Sequence, residues 1–179
     1  MGPRLHVERR RRSCETRPMA DRYRDPGLWV QLLWSSPILV RCPSCRGAAC
    51  VARHPDDEHP LPHRGTRPRL TCPSCAYVRE AKPVSEYRIG GLTDPFFGAA
   101  LLLQDDCAGH TLWAYNEPHL DVMARYISAK RRERADFTDA QHQSMLEKLP
   151  AWMKDARHRD AVSRSLERLR ALVPSPTTS

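Results

Sequence analysis

The chain has 179 residues, 40% of them hydrophobic and 28% charged, which suits one compact domain or two small ones. A formal net charge of +8 permits a phosphate-rich partner without requiring one. The longest apolar stretch, residues 96–103, falls short of the roughly 20 residues of a membrane span, and the start carries neither a secretory signal pattern nor a myristoylation motif. Of the 29 basic residues, only Lys82, Lys130, Lys148 and Lys154 are lysines. With 16 prolines, this reads as the codon bias of a GC-rich genome.

In chain order, residues 1–25 carry Arg9-Arg10-Arg11-Arg12 and little apolar periodicity, the pattern of a disordered basic arm. Such an arm is either a nucleic-acid-binding tail, a solvated extension, or a segment upstream of a start at Met19. Residues 26–88 form the next unit. Leu28-Trp29-Val30-Gln31-Leu32-Leu33-Trp34 is apolar, and Ile38-Leu39-Val40 is a short β-branched run that reads as a strand entering Cys42-Pro43-Ser44-Cys45. Residues 48–52 read as the returning strand. Residues 54–69 hold four prolines and form a loop. Leu70-Thr71 enters Cys72-Pro73-Ser74-Cys75, and Ala76-Tyr77-Val78 leaves it.

A third unit, residues 89–173, opens on Gly90-Gly91 and Asp94-Pro95. Residues 100–104 and 110–115 read as a hairpin whose turn spans residues 105–109. Asn116 is a good N-cap, with Pro118 in the first turn and Leu120, Met123 and Ile127 on one helical face. Thr138 and Gln141 have capping-box spacing for a second helix through Met145, Leu146 and Leu149. Val162, Leu166, Leu169 and Val173 line a third helix, and residues 174–179 are a frayed tail.

The paired CPSC motifs carry the chemistry. Each holds two thiols three positions apart on a tight turn, and together they supply the four soft ligands of a closed structural zinc site: Cys42, Cys45, Cys72 and Cys75. Proline inside each motif fixes φ and leaves backbone N–H groups free to point at sulfur. The interval between the motifs exceeds the usual ribbon spacing of about 15–20 residues. Closure cost grows only logarithmically with length, so the longer loop is tolerated. A lone C-P-x-C can also be a redox dithiol, but that chemistry needs a βαβ setting, and these flanks are short strands and proline-rich loop. Iron fits tetrahedral sulfur as well as zinc does; zinc is the expected ion.

Other groups point to weaker chemistry. Cys50 fits its strand as a small apolar residue, His54, His59 and His63 lie in the loop, and Cys14 lies in the arm. Cys107 and His110, beside Asp105 and Asp106, could act as nucleophile and base, but no orienting group or oxyanion nest accompanies them. A hairpin turn accounts for the same residues. Arg131, Arg132, Lys154, Arg157, Arg164 and Arg168 are candidate phosphate contacts, the last four as one stripe near Trp152, although interleaved acids also fit a solvated, ion-paired face.

The CPSC pair resembles the ribbon of general transcription factor B, a plan shared by RNA polymerase subunits and replication-restart helicases. Leu101-Leu102-Leu103-Gln104, Cys107, Gly109-His110, Leu112-Trp113-Ala114-Tyr115-Asn116, His119-Leu120, Leu149-Pro150-Ala151-Trp152-Met153-Lys154 and Arg159 carry a more specific resemblance. They are similar to a family of uncharacterised bacterial proteins named for a transcription-factor-B-type zinc ribbon. The resemblance covers about residues 27–173, and the family has two adjacent cysteines where this chain has Asp106-Cys107. It implies a metal and a fold, not a reaction.

The expectation is therefore an α+β protein: a small antiparallel Cys₄ zinc ribbon, then a β-hairpin and about three α-helices. It binds one structural Zn²⁺, is cytoplasmic, is not membrane-bound and is not an enzyme. Its expected role is a nucleic-acid-associated binding module. The alternative is an adaptor docking on a larger transcription or replication complex through the ribbon edge or a Trp29/Trp34 surface; a thiol enzyme using Cys107 and His110 is a distant third.

Overall fold

Alternation of apolar and polar side chains builds the first sheet. The computed structural model describes residues 22–27, 34, 36–57, 66–82, 89–133 and 144–175. After a short strand β1 (Arg22–Arg24), strands β2 (Ile38–Arg41), β3 (Ala48–Arg53), β4 (Pro68–Thr71) and β5 (Val78–Glu80) form an antiparallel sheet in that order. Ile38 pairs with Val51, Val40 with Ala49, and Val51 with Leu70. All five lie buried on one face, as a period of two requires.

The second sheet is a hairpin, β6 (Leu103–Cys107) and β7 (His110–Ala114). Its loop is only Ala108 and Gly109, at φ 52° and 78°. Two consecutive left-handed residues make the type I′ turn whose twist matches the strands. The turn is thus shorter than the sequence suggested, and Asp105, Asp106 and Cys107 belong to the strand. Residues 100–102 are not part of β6. Leu101 bridges to Val40 and Ala100 to Thr93, around a loop that buried Asp94 organises by accepting from the N–H groups of Phe96, Phe97 and Ala99.

Helix α1 (Glu117–Ser128) begins as its cap chemistry dictates: Asn116 Oδ1 accepts from His119 N–H at 3.1 Å. Its buried side is His119, Leu120, Val122, Met123 and Ile127. Strand β8 (Arg131–Glu133) follows, then α2 (Ala151–Lys154), a 3₁₀ turn over Ala156–His158, and α3 (Arg159–Ala171). Val162, Leu166 and Leu169 of α3 are buried with Leu103, Leu112 and Leu120. Among the described residues, three α-helices, two antiparallel sheets and a short parallel pair make the fold α+β.

Three local expectations change. Strand β1 falls inside the stretch read as an arm: it pairs in parallel with β8, Arg22 ion-pairs with Glu133, and Tyr23 and Asp25 are buried. The capping box at Thr138 and Gln141 lies outside the described residues, while residues 145–148, read as helix, form a turn. Trp34 is 5% exposed and packs on Phe96 at 4.4 Å, so it offers no docking surface; Trp29 lies outside the described residues.

The ribbon shares a core cluster with part of the later unit, while α3 and the β6–β7 hairpin pack in a second cluster. Val40, Cys42, Val51, Leu70 and Cys72 cluster with Leu101, Tyr115, Val122 and Leu146. The outer edge of β2 is closed by the same neighbours. Leu39 N–H donates to Tyr115 O (2.7 Å), Arg41 N–H to Ala100 O (2.8 Å), and Leu102 N–H to Leu39 O (2.9 Å).

His119 is enclosed, and burial lowers its pKa to about 4. The unfolded imidazole titrates near 6.5, so between those values the unfolded chain binds the extra proton. Stability from this group is complete above about pH 6.5 and is lost as pH falls toward 4. Relative to His119→Gln, the native chain is expected to lose about 3 kcal/mol across that window. Urea unfolding at stepped pH checks this, since both chains share the carboxylate and thiolate contributions. A constant difference between them would refute it.

Candidate metal centre and the basic surface

Two matching knuckles bring the sulfurs together. Beyond β2, Cys42 N–H donates to Gly47 O at 2.8 Å; beyond β4, Cys72 N–H donates to Tyr77 O at 2.9 Å. Arg46 and Ala76, at the same place in each turn, are left-handed with φ of 65° and 57°. Gly47 admits the closest approach: a Cβ there would lie 3.3 Å from Cys45 Sγ and 3.4 Å from Ser74 Oγ.

Cys42 Sγ lies 3.7 Å from Cys75 Sγ, and Cys45 Sγ lies 3.6 Å from Cys72 Sγ. All four sulfurs fall within 4.8 Å of one another. A tetrahedron with Zn–S bonds of about 2.3 Å has S···S edges of about 3.8 Å. A disulfide would need about 2.05 Å. The spacing is that of sulfurs around an ion. Cys42 and Cys72 are buried, while Cys45 and Cys75 face solvent.

The four thiols constrain one another's ionisation. At Cys45 the Gly47 N–H favours the thiolate, but crowding by Cys75, with burial and the sulfurs of Cys72 and Cys42, pushes it up to about 12. At Cys72 burial opposes ionisation, yet the N–H groups of Cys75 and Ser74 and the adjoining thiols bring it down to about 7. Four sulfurs this close cannot all ionise without a cation among them, which is what a bound divalent metal supplies.

The remaining ligand-type residues stand apart. Cys50 Sγ contacts Thr71 Oγ1 at 3.3 Å across β3 and β4. The His54 ring lies between Asp56 and Glu80, at 3.4 and 3.5 Å. His59, His63 and Cys14 are outside the described residues. Cys107 is 4% exposed, and burial pushes its thiol up, away from a ready nucleophile. His110 is exposed and stacks on Trp152, with ring centroids 4.6 Å apart.

The six basic candidates are not equivalent. The Arg132 guanidinium donates to the carbonyls of Tyr126, Ile127 and Lys154. Lys154 Nζ donates to Glu147 O at 2.7 Å. Arg157 pairs with Asp155, whose carboxyl it holds down at about 2, and Arg168 pairs with Asp105, lowering that carboxyl with help from Ser165. Arg131 and Arg164 are exposed and make no ion pair among the described residues. Sequence reasoning missed Arg41, Arg46, Arg67 and Lys82, which are exposed on the ribbon and likewise make no ion pair among the described residues. The signal was legible: no acid lies between Ser36 and Pro55, or between Thr66 and Arg79. No family model, curated protein or solved structure matches the chain, so the centre is defined by its own geometry.

Proposed function

We propose that this chain is a non-catalytic zinc-ribbon protein of the transcription-factor-B-like type that binds nucleic acid. The convergence of Cys42, Cys45, Cys72 and Cys75 carries the metal half of this reading; sulfur-only ligation closes the coordination shell and leaves no open position for substrate. The cations of the ribbon carry the other half. Arg41, Arg46 and Arg67 have no acid beside them in sequence and no ion pair among the described residues, so their guanidinium forks remain available to phosphate. Arg131 and Arg164 extend the same surface chemistry, whereas Arg132 and Lys154 serve the fold.

Salt titration tests it. Affinity for random-sequence DNA and RNA is expected to fall steeply with salt. Each lost phosphate contact should reduce the logarithmic slope by about 1. Arg41→Glu with Arg46→Glu is expected to weaken binding at least tenfold, and Arg157→Glu, already paired with Asp155, to do less. No binding at low salt would dispose of this reading. The adaptor reading keeps one supporting observation: β5 ends the sheet and carries Val78 at 49% exposure, an edge to which a partner strand can add. An extended peptide protecting β5 amides from exchange would favour it.

A further inference from the structure

Neither metal nor phosphate accounts for a cleft of about 210 Å³ beside β7 and α1. Its walls are Trp113, Trp152, Met123, Met145, Met153 and Leu149. Thioethers are polarisable and adaptable, and they pack well against aromatic edges. The indoles are held in place. His110 stacks on Trp152 at an interplanar angle of 12°, and Trp113 meets Tyr115 edge-on at 5.1 Å.

One buried polar side chain enters this apolar lining. His119 is 4% exposed, and its Nδ1 accepts from Tyr115 N–H at 3.3 Å. A neutral imidazole that accepts at Nδ1 carries its proton at Nε2. Nε2 has no partner among the described residues, yet it is not among the polar atoms sealed from solvent. The space that His119 lines is the cleft, so the N–H opens onto it. Burial keeps the ring neutral at physiological pH, which fixes this donor in place.

We propose that the cleft binds a small planar ring compound bearing one carbonyl-type acceptor. The ring lies among the two indoles and the methionines, and the acceptor takes the Nε2 proton of His119. Size supports the assignment, because a cavity of about 150 Å³ holds benzene and the cleft has room for a ring with a short substituent. The donor sets the selectivity: a ligand without an acceptor leaves a desolvated N–H unpaired.

Acetophenone and ethylbenzene, which differ by one carbonyl, serve as probes on the full chain, followed by the indole N–H resonances of Trp113 and Trp152. Saturable one-to-one binding is expected, with acetophenone about three- to tenfold tighter. His119→Phe is expected to equalise the two, and Leu149→Trp to abolish both. Absence of saturable binding, equal affinities in the native chain, or binding indifferent to Leu149→Trp would each overturn the proposal. If His119→Phe does not fold, the ¹⁵N shift of Nε2 in the native chain decides: it must move with acetophenone and stay with ethylbenzene, and any other pattern counts against it.

Discussion

Replacing Cys42 with serine is expected to strip the chain of its metal and to unfold more than the ribbon. The native chain should carry one zinc per molecule. In zinc-finger peptides the apparent binding energy is about 10–16 kcal/mol and is folding energy, because no site preexists in the unfolded chain. Whole domains have only about 5–15 kcal/mol of stability. The loss therefore rivals the total, and it does not stay local, since Cys42 and Cys72 sit in the same buried cluster as Tyr115, Val122 and Leu146. Far-ultraviolet ellipticity should fall with the metal by at least the share of α1, which gives Val122 to that cluster, whether the metal is lost by mutation or chelation. Cys50→Ser is the control, because Cys50 contacts Thr71 outside the centre. Zinc retained in Cys42→Ser, or lost in Cys50→Ser, would overturn the ligand assignment. A helical signal that survives chelation undiminished would show that the shared cluster does not act as one.

Arg132→Ala is expected to destabilise the fold by about 2–3 kcal/mol, while Arg131→Ala stays within about 0.5 kcal/mol. Adjacent in sequence and equal in charge, the two differ in what they hold. The fork of Arg132 takes the Tyr126 and Ile127 carbonyls in the last turn of α1, which have no partner within the helix, and reaches Lys154 O at the end of α2. It also lies over the Tyr126 ring at 4.7 Å. Arg132→Lys should rescue little, because a point charge cannot serve three acceptors set for a planar fork. Chemical denaturation of the three variants checks the order. Equal loss at both positions would mean that charge, not the fork, is what matters.

The contrast shows what the sequence could reveal. The two knuckles, the strands beside them, the Asn116 cap and the buried faces of α1 and α3 were all legible, because each follows from spacing or cap chemistry within a few residues. What escaped was long-range pairing. Nothing in Arg22-Tyr23-Arg24 announces a parallel partner at Arg131-Arg132-Glu133, since three charged-rich residues have no period to read. Charge counting marked Arg168 as a phosphate contact, but its acid, Asp105, comes from strand β6, far away along the chain. The helical spacing of α1 singled out Leu120, Met123 and Ile127 and gave His119 no role. Only folding places its imidazole against Trp113 and Tyr115 and beside a cleft.

The closed edge of β2 limits how this chain can associate. A sheet with two open edges can add a strand at either side and grow without end, the geometry of fibres. Here the backbone groups of Leu39 and Arg41 are already engaged by Tyr115, Leu102 and Ala100. The four-stranded sheet therefore keeps at most one open edge, that of β5. Edge pairing is then monovalent: one strand, from a partner or a second copy, completes it, and the growing chain of sheets stops at the first addition.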